Sequence, residues 1–124
     1  AGPTGVDLRL TGLLRFDGDV LGVIDCGLDV HSRGELEVVG SAGRIVLSDP
    51  WHAIEPKIVV ERGFEREVVT VPGADSYARE LEDMAAAIAG ERPPRLGRSD
   101  ALGQARTIDA LYRSAEEGRA VALS

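Results

Sequence analysis

The sequence predicts an α+β fold, an open and mostly antiparallel β-sheet with helices packed on one face and the other face left for oligomerisation. Three observations carry this expectation. Apolar residues alternate with period two from Val6 to the neighbourhood of Val71, glycine and proline punctuate that stretch at short intervals, and the period changes to 3.6 after Pro72-Gly73.

The first strand is expected over residues 6–16, VDLRLTGLLRF, with Val6, Leu8, Leu10, Leu14 and Phe16 on one face and Asp7, Arg9, Thr11 and Arg15 on the other. Asp-Gly-Asp at 17–19 is a hairpin signal, and in the next run Val20, Ile24, Cys26 and Leu28 fill the even positions. A two-residue turn would set Leu14 opposite Leu21, whereas a three-residue loop sets it opposite Gly22 and keeps both even faces on one side. The pattern favours the second register, with Gly18 tolerating the unusual backbone. HSRG at 31–34 breaks the alternation, and ELEVVG and RIVL read as the third and fourth strands. SDPWHAIEP is a loop, after which KIVVERGFEREVVTVP reads as two further strands around Gly63.

Asp75 or Ser76 can cap a helix carrying Tyr77, Leu81, Met84, Ala85 and Ile88 on one face, with Gly90 as its terminator. ERPPRLGR is a loop. Ser99 then caps a second helix with Ala101, Ala105, Ile108, Leu111, Tyr112 and Ala115 inward, ending at Gly118, and AVAL at 120–123 is expected at the sheet edge. Leu13, Leu21, Val23, Val39 and Val46 are apolar on the side the helices should leave open. They are either scattered surface aliphatics or the contact face of a homo-oligomer.

Composition narrows the function classes. At 124 residues the chain fits one domain with a core of its own. A net charge of −7 argues against a nucleic-acid partner, which needs a basic surface. No apolar run is long enough for a membrane span, and no basic segment leads into an apolar one as a signal peptide would, so a cytoplasmic setting is expected. The single Cys26 in an apolar strand reads as a small core residue. Without an initiator Met, and with strand pattern a few residues from Ala1, the chain is expected to be a fragment of something longer.

Three stretches in order, LEVVGSAGRIVL (36–47), SYARELEDMAAAIAGERPP (76–94) and SDALGQARTIDALYRSAEEGRAVAL (99–123), together with LLRFDGDVLGVID, resemble the C-terminal domain of the Gfo/Idh/MocA family of oxidoreductases. The resemblance covers nearly the whole chain. It implies a parent enzyme whose N-terminal Rossmann domain binds NAD or NADP. The C-terminal domain would shape the pocket for a sugar, cyclitol or related polyol and form oligomers. In the family the acid–base Lys lies in a Glu-Lys-Pro motif of the Rossmann half, and a partner His follows an Asp near the start of the second half. Neither motif is matched here, nor is a Gly-x-Gly-x-x-Gly fingerprint. The fragment alone is therefore expected to be non-catalytic and to bind no cofactor. Without the resemblance, the same residues also fit a free-standing, non-enzymatic module that dimerises through its sheet or binds a small ligand.

Among individual residues, Lys57 in Glu55-Pro56-Lys57 has the letters of that motif in another order and reads as a solvated charge at a strand end. The resemblance places His31, Ser32 and Arg33 in a connection from which side chains reach towards substrate, where Arg and His can hydrogen-bond hydroxyls or a carboxylate; a polar turn facing water is the other reading. Asp29 is a weaker companion. Tyr77 matches the Tyr that opens the family's helix near the cleft, or else is a core aromatic. Trp51 and His52 fall on the loop after the fourth strand, at a rim or an interface. Two dispersed His and one Cys supply no metal-ligand spacing, and no Gly-x-Ser-x-Gly elbow is present.

Overall fold

A computed structural model describes residue 2 and residues 4–123. Among these residues it has the expected α+β composition: six strands and two α-helices, with every strand pairing antiparallel. The strands divide between a two-stranded sheet, β1 (Arg9–Arg15) with β2 (Leu21–Gly27), and a four-stranded sheet in sequential order, β3 (Glu35–Gly40), β4 (Gly43–Ser48), β5 (Lys57–Arg62) and β6 (Glu65–Thr70). Helix α1 spans Ser76–Ile88 and α2 spans Arg98–Glu117. The chain forms two compact units: Arg33–Gly97 makes one, and the segments on either side of it make the other.

In the unit built from the flanking segments, the hairpin takes the register that the pattern favours. Leu14 lies opposite Gly22 and Leu10 opposite Cys26. The loop is one 3-10 turn, Asp17–Asp19, in which Gly18 has φ 71° and Asp19 φ 60°, closed by a hydrogen bond from the Phe16 N–H to the Val20 carbonyl. The strand is shorter than the alternation suggests, although the Leu28 N–H bonded to the Leu8 carbonyl carries the ladder one step beyond β1. Gly12 is buried because Leu111 of α2 lies over it: a Cβ there would stand 2.8 Å from the leucine's Cδ2.

That seat fixes how α2 is rotated, and it corrects the expected inward face. Thr107, Ala110, Leu111 and Ser114 are the partly covered residues, whereas Ala101, Ala105, Ile108, Tyr112 and Ala115 are exposed. The helix also begins at Arg98, so Ser99 lies inside its first turn, and it stops at Gly118 with φ 63°. Residues 120–123 form no strand; they border a groove with Leu13, Leu14 and α2. Cys26 is exposed and is not a core residue. A two-strand ribbon is wider than the strip one helix covers at Gly12, and Cys26 sits further along it.

In the Arg33–Gly97 unit, β3 and β4 meet through Gly40 opposite Gly43, and β5 and β6 turn tightly at Gly63, φ 59°. Gly43 has no substitute, because a Cβ there would run into the Glu61 carbonyl oxygen of the neighbouring strand. One sheet face carries Leu36, Val38, Ile45, Leu47, Ile58, Val60 and Val69, as the pairings require. The other mixes Val39, Val46, Val59 and Val68 with an ion network in which Arg44 binds Glu61 (2.6 Å) and Glu37 (3.0 Å).

Helix α1 is bounded as the sequence proposes. Asp75 caps it, accepting from the N–H groups of Tyr77 (3.0 Å) and Ala78 (3.1 Å). At its other end the Gly90 N–H reaches the Ala87 carbonyl and the Glu91 N–H the Ala86 carbonyl, a Schellman closure. Asp83 ties the following segment back to the helix, pairing with the Arg92 guanidinium and accepting the Arg95 N–H at 3.0 Å. Both contacts, Arg92 foremost, hold its carboxyl below the usual range.

Among the described residues no hydrophobic side chain is fully buried, against the expectation of a core of its own. Each unit has one thin sheet and one helix, and so small a body keeps most of its apolar surface within reach of solvent. The apolar stripe of α1 is open at Tyr77, Leu81, Met84 and Ile88. No helix among the described residues is long and apolar enough to cross a membrane.

Candidate substrate site

The loop between β4 and β5, residues 49–56, is held by hydrogen bonds at several points. Asp49 organises it: one carboxylate oxygen accepts the Ile54 N–H at 2.9 Å, the other accepts the His52 N–H at 3.3 Å and lies 3.3 Å from His52 Nδ1. Its own N–H reaches the Gly34 carbonyl, and its carbonyl accepts the Ala53 N–H. These donors, Ile54 first, lower the Asp49 carboxyl pKa. Asp49 (φ 52°) and Ala53 (φ 53°) both occupy the left-handed region, which a side chain enters only when its surroundings hold it there.

The loop docks on the start of α1. The Ala74 N–H bonds to the Ala53 carbonyl at 3.0 Å, and Gly73 passes so near the Ile54 carbonyl oxygen that a Cβ would collide with it. A cavity of about 460 Å³ opens at this junction, lined by His52, Ile54, Gly73, Ala74, Asp75, Ser76 and Tyr77. That volume falls in the range of small-molecule sites, and the lining is mostly apolar with a few polar groups. Tyr77 is 67% exposed, so it is not the core aromatic that the helical stripe allowed.

The other sequence candidates lie elsewhere. His31, Ser32 and Arg33 are exposed in the connection between β2 and β3, and none of them lines this cavity. Asp29 is held by Arg9 through two bonds, 2.8 and 3.1 Å, which lower its pKa. Lys57 is exposed at the head of β5. Trp51 packs its indole edge beside Gly34, where an added Cβ would stand 3.4 Å from its Cδ1. Sequence reasoning missed Asp49 and left His52 at a rim. The available signal was Asp49-Pro50 directly after a strand, because an Asp opening a loop readily accepts backbone N–H groups further on.

No group of three or more His, Cys, Asp or Glu among the described residues could hold a metal. Nor does the strand-to-helix junction fit a dinucleotide. β6 enters α1 through a single glycine, and the first free N–H groups of the helix are already taken by the Asp75 carboxylate, where a pyrophosphate would need them.

Residues 6–123 match the C-terminal α/β domain of the Gfo/Idh/MocA oxidoreductase family. A D-xylose 1-dehydrogenase (NADP(+)) of Haloferax volcanii is 32% identical over 123 residues, which cover 96% of this chain and 38% of that protein. The 3-ketoreductase KijD10 of Actinomadura kijaniata, solved in complex with NADP and TDP-benzene, superposes with a TM-score of 0.76 at 25% identity, over 86% of this chain and 34% of that one. Its open conformation superposes with a TM-score of 0.75. The chain thus spans little more than a third of the length of either relative. This match over residues 6–123 makes the chain a member of the Gfo/Idh/MocA oxidoreductase family, corresponding to that family's C-terminal α/β domain.

Proposed function

We propose that the protein to which this domain belongs is an NAD(P)-dependent oxidoreductase acting on a sugar, cyclitol or related polyol, and that this domain supplies one wall of the substrate pocket and a subunit interface. The observation that carries the reading is the family match over residues 6–123. The NADP-linked sugar dehydrogenase and the NADP-bound ketoreductase among the relatives support it. The acid–base groups and the cofactor site belong to a partner Rossmann domain in the same protein, in a cytoplasmic setting. Within this chain the substrate-facing residues are Tyr77, at the cavity beside α1, and His31, Ser32 and Arg33 in the β2–β3 connection. The subunits associate through aliphatic sheet residues, Leu13, Leu21 and Val23 on the β1–β2 hairpin and Val39 and Val46 on the four-stranded sheet. Four of these, all but Val46, are well exposed.

The test is a coupled one. The protein with its Rossmann half, supplied with NADP⁺ and a panel of aldoses and polyols, is expected to form NADPH with at least one of them, read by NADPH fluorescence. The 124-residue chain alone is expected to give no saturable heat with NADP(H) in calorimetry. Micromolar binding by the lone chain, or no turnover of any panel member by the whole protein, would overturn the assignment.

A further inference from the structure

We propose that the free edge of β1 takes a further antiparallel strand, supplied by the stretch of the parent polypeptide directly upstream of residue 1, and that this strand runs through the groove beside β1 and α2. The proposal goes beyond the activity proposed above and does not depend on it.

The hairpin ladder defines the edge. The Leu28 N–H bonds to the Leu8 carbonyl and the Phe16 N–H to the Val20 carbonyl, so the backbone at even positions of β1 faces β2. The N–H and C=O groups of Arg9, Thr11, Leu13 and Arg15 therefore point the other way, where no strand among the described residues meets them. Two strands alone make a marginal sheet, and a bare edge is a template for a third.

A groove of about 840 Å³ lies at this edge, with Leu13 and Arg15 among its lining. Helix α2 contributes Thr107, Ala110 and Ser114, small side chains that leave room for the inward residues of an added strand. Residues 120–123 complete the lining; among the described residues they make no backbone-to-backbone hydrogen bond.

The way the chain enters β1 gives the occupant and its direction. The Gly2 N–H meets the Val6 carbonyl at 2.7 Å, the Gly5 N–H meets the Gly2 carbonyl at 3.0 Å, and Gly5 has φ 81°. This is the three-residue hairpin turn that ends on a left-handed glycine, and such a turn joins two antiparallel strands. One of them is β1, which leaves the turn; the other is the chain that enters it. Because β2 already holds one edge of β1, the entering strand has the edge of Thr11, Leu13 and Arg15 to pair with. The chain covers 38% of the xylose dehydrogenase and 34% of the ketoreductase and corresponds to a C-terminal domain, so a parent of that length supplies the upstream stretch.

The test is hydrogen exchange read amide by amide by NMR, in the 124-residue chain and in its parent. In the chain alone, Thr11, Leu13 and Arg15 are expected to exchange at least tenfold faster than Leu10, Gly12 and Leu14. In the parent that ratio is expected to fall to near one, a change that general stabilisation of the domain would not produce. A synthetic peptide of the ten residues directly upstream of residue 1 in the parent is expected to give the chain saturable shifts at Thr11, Leu13, Arg15 and residues 120–123. The same peptide in scrambled order should bind at least tenfold more weakly, and so should the native peptide to Ala110→Phe, which fills the groove. Should that variant not fold, the exchange ratio in the unaltered proteins still decides. An alternation that persists in the parent, or equal binding of the scrambled peptide, would overturn the proposal. So would an alternation that disappears from the chain alone as its concentration rises, which would place a second copy on the edge.

Discussion

Asp49 gives the loop its shape by accepting backbone N–H groups on both carboxylate oxygens, and that arrangement has a pH signature. Its folded-state pKa is depressed, with the Ile54 N–H as the leading cause. The stabilisation it provides is therefore complete above the ordinary carboxylate range and is lost as the pH falls through the lower folded-state value. Asp49→Asn replaces one acceptor oxygen by an amide NH₂, which cannot accept from a backbone N–H. The variant is expected to be less stable than the parent at neutral pH and to show a shallower loss below about pH 4. Urea unfolding followed across that range checks this, and parallel curves for the two proteins would refute it. Asp49 was hard to see in the sequence because its role is to bond backbone, which leaves no trace in hydrophobic period. Tyr77 was visible because it opens a periodic face, although the pattern could not say whether that face is covered.

At the level of elements, α1 illustrates how much local chemistry can specify. Asp75, the apolar spacing and Gly90 set its start, direction and stop, and each is where the sequence puts it. Asp75→Ala removes the acceptor of two helix N–H groups and is expected to cost about 1 kcal/mol of stability. Thermal or urea unfolding measures this, and an unchanged midpoint would mean that water satisfies those donors as well as the carboxylate does. The hairpin register was equally legible, since only one loop length kept Leu14 and Cys26 on the same face. The rotation of α2 was not. It depends on Gly12, a residue in another element, leaving space for Leu111, and a helix read alone offers several apolar stripes of similar strength. Division of the strands into two sheets was out of reach for the same reason: alternation reports which face a residue takes, not which neighbour its strand acquires.

For the molecule as a whole, the absence of any fully buried hydrophobic side chain among the described residues bears on association. Leu13, Leu21 and Val23 stand together on the hairpin face opposite the one that α2 covers, and each is more than half exposed. Aliphatic surface of this kind favours self-association. The chain is expected to run as a dimer or larger species by multi-angle light scattering at tens of micromolar, and Val23→Lys is expected to shift it towards monomer. A monomeric mass for the parent would refute the interface.

The insertion of Arg33–Gly97 between the two segments of the other unit carries a consequence for folding order. The inserted unit is one uninterrupted stretch whose strands pair with sequence neighbours, so short loop closures suffice to assemble it. The surrounding unit has no such shortcut: Leu111 must find Gly12, and the Tyr112 hydroxyl must find Asp7 across 105 positions of chain. Contacts that distant in sequence form slowly. During synthesis the β3–β6 meander can mature while the hairpin waits with its α2 face uncovered until α2 has been made.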